Sequence, residues 1–288
     1  IATLGRVMFR YLGLLIFPLP TFLNLEHDVP ASRAAFEPLM TTPALLGVLI
    51  LALGAILLRK RAPLLAWGML FFLLHHAVEA GHPQIEIMFE HRNYMPSIGL
   101  IFALALVAAW LLRNASSRLR LSACVAVICV LGACTLVRNE AWQTEKSLYY
   151  DAALKSPALA RPSSNYALEL VQELPSEGDD GSLRTDEQKR KAHEGIRYAE
   201  RAVKNDPKFY DAWGILGDLY FRVGRYDDSL VALEHWTREY TREYPEGGDN
   251  DRHVRIAFQY ARAYHFRADT RTGESAQSDY GNAITWYA

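Results

Sequence analysis

Acidic residues are scarce in the first half of this chain. Residues 1–137 hold six Asp and Glu against ten Lys and Arg, a net of +4, whereas residues 138–288 hold 26 against 21, a net of −5. That acidic balance in the polar half disfavours nucleic acid as a partner, since phosphate backbones are held by Lys and Arg. Cysteine is nearly missing too. Cys124, Cys129 and Cys134 share one apolar run, and the second half has none. A spacing of five turns successive thiols by about 140° around a helix, which gathers no metal ligands. They read as small apolar residues of a membrane helix. No H-E-x-x-H metal motif occurs. No basic, apolar and small-residue layout opens the chain as a secretory signal would.

Long apolar runs fill the first half. A membrane helix needs roughly 20 mostly apolar residues. Residues 42–58, 63–80, 94–112 and 119–137 meet that pattern, and 4–23 meets it weakly, because Pro18 and Pro20 end or kink a helix. At 288 residues the chain has room for two domains. The expected architecture is all-α: a transmembrane bundle of about five spans over 1–137, a helical adaptor over 138–162, and a helical repeat over 163–288. The chain opens on Ile1 and stops at Trp286-Tyr287-Ala288 inside a helical pattern, so we expect an internal piece of a longer protein.

Basic residues in short loops orient such bundles toward the cytoplasm. Arg6 and Arg10, Arg59-Lys60-Arg61, and Arg113, Arg118 and Arg120 alternate with the poorly basic loops 24–41 and 81–93. One topology satisfies every loop. It puts the basic segments in the cytoplasm and everything after residue 138 on the exoplasmic side, which is the periplasm for a bacterial inner membrane.

In the second half, Trp213-Gly214-Ile215-Leu216-Gly217-Asp218-Leu219-Tyr220 fits the W-x2-L-G-x2-Y first-helix pattern of the tetratricopeptide repeat (TPR). A second helix near 226–240 departs from it, with Ser229 at the usual Ala position. The stretch 199–207, ending Asn205-Asp206-Pro207, resembles a TPR second-helix ending, with its first helix expected over 164–173. A Gly-, Asp- and Ser-rich insert over 175–187 reads as a surface loop. A third unit is expected over 253–266 and from 278 onward. Such arrays offer a concave groove to a polypeptide. Tyr166, Tyr210 and Tyr260 are candidates to line it, beside the alternative that these tyrosines are core.

Candidate chemistry gathers at the exoplasmic end of spans three and four. His75 and Glu79 share a helix face at i, i+4. His76, His82 and Glu86 lie nearby, followed by Phe89-Glu90-His91-Arg92-Asn93-Tyr94-Met95-Pro96-Ser97-Ile98-Gly99. Charged groups beside a lipid-facing helix are costly and call for a reason. Three readings stand together: a divalent metal held by His and carboxylate, a polar interface at the membrane surface, and a site for a lipid-linked phosphate. In the third, Arg92 forks two phosphate oxygens, with His91, Glu90 and Glu79 in support.

The Phe89 to Gly99 segment resembles the Glu-Arg/His-Arg, Tyr-Leu-Pro-Ser signature of GT-C membrane glycosyltransferases, especially the transmembrane, TPR-containing O-mannosyltransferases and their bacterial relatives. Arg10-Tyr11-Leu12-Gly13-Leu14-Leu15 with Pro18, Leu25-Glu26-His27-Asp28, His76-Ala77-Val78-Glu79, and Trp142 with Tyr149 to Pro157 and Arg161 extend that likeness over residues 5–175. Met95 stands where the family usually has Leu. The resemblance implies transfer of a sugar from a polyprenyl-phosphate donor to Ser or Thr of an exported protein, with the repeat domain binding the acceptor or a partner. It also implies a lipid-phosphate role for Arg92, His91, Glu90 and Glu79. The family's catalytic carboxylates belong to a first exoplasmic loop, which has no counterpart here. The alternatives are a non-catalytic membrane-anchored TPR scaffold or assembly subunit, and a transporter or ligase of lipid-linked polysaccharide.

Overall fold

Twelve α-helices and one 3-10 turn account for the regular structure, with no β-strand among the described residues. The computed structural model describes residues 2–34, 36–80, 88–175, 183, 185–246 and 248–287. The chain divides into two compact units, Ile1–Gln143 and Thr144–Ala288.

The first unit holds α1 (Ala2–Ile16), α2 (Thr41–Leu58), α3 (Pro63–Ala80), the 3-10 turn Glu90–Asn93, α4 (Tyr94–Leu111) and α5 (Ser117–Ala141). Among the described residues, three stretches are long and apolar enough to cross a membrane: Thr41–Leu58, Glu90–Leu111 and Ser117–Ala141. They coincide with three of the expected spans, the runs 42–58, 94–112 and 119–137. Proline disfavours helix in itself and in the residue before it, so Pro18 and Pro20 stop α1 at Ile16 after 15 residues. α3 is an 18-residue helix that is apolar over Pro63–Val78, the part of it whose side chains are described.

The apolar faces explain the packing. A helix that is apolar all round is buried or lipid-facing. α2 buries only Thr41, Ala44 and Ala55 and turns Leu46, Leu49, Ile50 and Leu57 outward. None of the apolar window of α5 is buried. α1 packs on α2, α2 on α3, and α3 on α4, around Val7, Met8, Tyr11, Val29, Phe72, Met88 and Leu100. Gly68 and Gly99 bring α3 and α4 together: a Cβ on Gly68 would strike the Gly99 carbonyl oxygen, and one on Gly99 would lie 2.8 Å from the Gly68 carbonyl oxygen. Small residues at helix contacts allow this closeness in membranes.

The second unit holds α6 (Glu145–Lys155), α7 (Ala160–Gln172), α8 (Asp186–Asn205), α9 (Tyr210–Arg222), α10 (Tyr226–Glu243), α11 (Asn250–Asp269) and α12 (Glu274–Tyr287). Each packs on the next, and α7 also touches α9. Thr144 and Thr185 open α6 and α8 with reciprocal capping boxes to Ser147 and Gln188. Gly224, at φ +78°, takes the left-handed turn between α9 and α10 that L side chains avoid. Two cores form. Ala192, Ile196, Ala199, Ala202, Leu216 and Leu219 fill the first; Phe221, Leu233, Trp236, Tyr240, Ile256 and Tyr260 fill the second. Most of the expected insert over 175–187 lies outside the described residues.

Candidate functional site

At the mouth of the first unit, the 3-10 turn Glu90–Asn93 leads straight into α4. Pro96 is the third residue of α4, where first-turn N–H groups have no intrahelical acceptor, so proline costs nothing there. The turn is tied to two other segments. The Asn24 backbone N–H donates to Glu90 Oε1 at 2.7 Å, and His27 Nε2 lies 2.8 Å from the same oxygen. The Tyr11 hydroxyl donates to the Phe89 carbonyl at 2.5 Å. Beneath them, the Tyr11 ring stacks on buried His76 at 5.1 Å, and His76 Nε2 pairs with Asn93 Oδ1 at 3.3 Å. A polar seam thus joins α1, the loop after it, α3 and the turn before α4.

The sequence-predicted residues divide around this seam. Glu90 belongs to it. His91 is exposed, its ring stacked on Phe89 at 5.0 Å. The Arg92 guanidinium lies over the Phe89 ring, 5.4 Å from its centroid. Tyr94 is 74 % exposed. Glu79 lies in the last turn of α3, with its side chain outside the described residues, as are His82 and Glu86. His75 turns Nδ1 back to the Phe71 carbonyl at 2.9 Å. Among the described residues, no three His, Cys, Asp or Glu side chains gather as metal ligands. Sequence reading missed Tyr11, Asn24 and Asn93 as members of the seam. Their types carried no signal, because the partners lie 17 to 78 residues away in the chain.

In the second unit, α7, α9, α10 and α11 enclose a groove of about 590 Å³. Asn165, Asp211, Ile215, Arg252, Arg255 and Gln259 line it, with Asp218 and Trp236. Three lining residues hold a polar atom that is shut off from solvent and has no hydrogen-bond partner among the described residues: Asp218 Oδ1, Trp236 Nε1 and Gln259 Oε1. Each such atom costs about 1–3 kcal/mol. The other Asp218 oxygen is taken by Arg222 Nε at 2.7 Å, an ion pair almost fully buried. Arg222 also donates to the Pro175 carbonyl at 2.7 Å. Arg252 reaches Asp211 at 2.6 Å, whereas Arg255 is exposed.

The three tyrosines singled out from the sequence sit beside this groove rather than on its lining. Tyr166 is 5 % exposed and donates to Glu194 Oε1 at 3.0 Å; burial first, then that carboxylate, pushes its phenol well above the usual tyrosine range. Tyr210 packs edge-on against Tyr240 and lies under Arg252. Tyr260 is buried and stacks on Trp286 at 4.5 Å. The lining instead comes from other residues of α7, α9, α10 and α11, among them Asn165, Ile215, Trp236 and Gln259. Trp213 holds its place by stacking on His235 and donating Nε1 to the Pro207 carbonyl at 2.9 Å.

No known family model matches the chain, and no curated protein is significantly similar to it.

Proposed function

We propose that this chain is the anchoring and acceptor-holding part of a GT-C membrane glycosyltransferase. Its helix pairs α7–α8, α9–α10 and α11–α12 act as TPR-like repeats, and their groove holds an extended segment of an exported polypeptide. The groove carries this reading. An extended peptide presents N–H and C=O groups along its length, the complement of a cleft lined by the polar side chains of Asn165, Asp211, Arg252 and Arg255. The donor is a polyprenyl-phosphate sugar, with the phosphate met by Arg92 and His91 at the mouth of the first unit. The acceptor hydroxyl attacks the anomeric carbon, and the polyprenyl phosphate leaves. The basic turns face the cytoplasm and the second unit is exoplasmic. The motif from Phe89 to Gly99 and the Glu90 ties that hold it support the transferase setting.

A second reading, a membrane-anchored TPR scaffold, is favoured by one observation. Glu90, the best-placed carboxylate, is occupied by Asn24 and His27 and does structural service. One experiment separates the two. Membranes carrying the full protein are given labelled polyprenyl-phosphate sugar and a Ser/Thr-rich peptide, with a photoreactive residue at Ile215. Sugar transfer that Arg92→Ala abolishes without loss of peptide cross-linking supports the transferase. Cross-linking without transfer supports the scaffold. The absence of both overturns the shared groove.

A further inference from the structure

The opposite character appears in a cleft between α3 and α4. It measures about 520 Å³ and is lined by Pro63, Leu64, Leu65, Leu106, Val107 and Trp110, with almost no polar surface. Its rim is cationic. The turn Arg59-Lys60-Arg61 runs directly into the cleft wall at Ala62 and Pro63. The Arg113 guanidinium lies 4.4 Å from the Trp110 ring centroid, anchored by Nη1 on the Trp110 carbonyl at 3.0 Å. All four cations are exposed. No Asp or Glu occurs between Glu37 and Glu79, or between Glu90 and Glu140. Among the described residues, none of the four forms an ion pair with a carboxylate. An apolar slot with an unneutralised cationic rim matches an amphiphile with an anionic head.

We propose that this cleft selectively holds an anionic glycerophospholipid of the surrounding membrane, one acyl chain along Leu65, Val107 and Trp110 and the headgroup phosphate against Arg113 and the Arg59–Arg61 turn. The acyl chain gives little selectivity, since neighbouring lipid tails are as apolar as leucine. The headgroup gives it, because Lys and Arg close to the membrane surface attract anionic lipid and basic pockets between membrane helices hold such heads. Arg113 has N–H groups left for a phosphate after its bond to the Trp110 carbonyl, since a guanidinium offers five donors. Trp110 is at home there, as indoles favour the membrane interface. A peptide is a poor occupant, for nothing in the lining meets its backbone groups. The proposal is independent of any transferase activity.

The test uses the full chain in phosphatidylcholine nanodiscs doped with brominated-chain phosphatidylglycerol or brominated-chain phosphatidylcholine. The signal is the tryptophan fluorescence lost in Trp110→Phe. Half-quenching is expected at a several-fold lower mole fraction of the glycerol lipid. Arg113→Gln should narrow that ratio. Leu106→Phe, which fills the slot and keeps every charge, should abolish quenching by both lipids at low mole fraction. Equal quenching of the parent protein by the two lipids overturns the proposal. A preference that survives Leu106→Phe overturns it as well, since surface charge alone then explains the enrichment.

Discussion

Glu90 Oε1 lies 2.8 Å from His27 Nε2 and also accepts the Asn24 N–H, so one carboxylate oxygen pins the loop after α1 to the turn that opens α4. Replacing Glu90 with Ala leaves two polar groups in a half-buried place without their acceptor. A loss of about 1–3 kcal/mol is expected, seen as a lower melting temperature in detergent. His27→Ala in the same background should add less than it does alone, because the two share one contact. Independent, additive losses from the two changes would contradict the latch.

Gly68 and Gly99 make a second testable contact. Gly68→Ala puts a methyl group against a backbone carbonyl, which has no rotamer by which to yield. Overpacking of this kind typically costs about 1–3 kcal/mol. Gly13, also helical, has open space where its Cβ would be, so Gly13→Ala should be neutral or stabilising by up to about 1 kcal/mol. Thermal unfolding of the two variants side by side checks the contrast.

The buried Asp218–Arg222 pair predicts a non-additive result. Arg222→Met strands a carboxylate that is 6 % exposed. Removing one member of a buried pair costs about 3–5 kcal/mol, whereas replacing both by apolar residues is often near neutral. The double variant Asp218→Leu, Arg222→Met should therefore recover most of the loss. Urea unfolding of the three variants, followed by hydrogen exchange in α9, measures it.

Glu173 gives a pH dependence. Hydrogen bonds from Lys146, then from Lys191, hold its carboxyl below the ordinary 4.5. A depressed carboxyl stabilises the fold above its unfolded value and loses that contribution as pH falls through its lowered folded value. Parent protein and Glu173→Gln should differ in the protection of α7 and α8 amides at pH 7, modestly, because the carboxylate is about a third exposed and screened. The difference should shrink below pH 4.5. A gap that widens in acid would reverse the assignment.

Much of the helical architecture was legible. The apolar runs located α2, α4 and α5, and Trp213, Gly217 and Tyr220 located α9. The end of α1 was legible too, since Pro18 and Pro20 mark the break and the helix stops at Ile16. At the mouth, Glu90 stood out by charge, but its partners Asn24 and His27 are joined to it only by folding. The groove was expected from aromatic side chains, yet aromatics at helical spacing fill cores first. Its lining mixes Asp, Arg, Asn and Gln with Ile215, Phe209 and Trp236, and none of the three tyrosines is among them.

Ser229 stands where an alanine was expected in α10, and its hydroxyl donates to the Gly217 carbonyl at 2.7 Å inside the helix pair. Apolar contacts tolerate a helix that slides or rotates slightly; a single directed bond to one carbonyl does not. The α9–α10 pair is therefore keyed as well as packed. Its oily neighbours can be exchanged for others of similar volume while this bond keeps the two helices in step, and with them the spacing of Ile215, Asp218 and Trp236 along the groove.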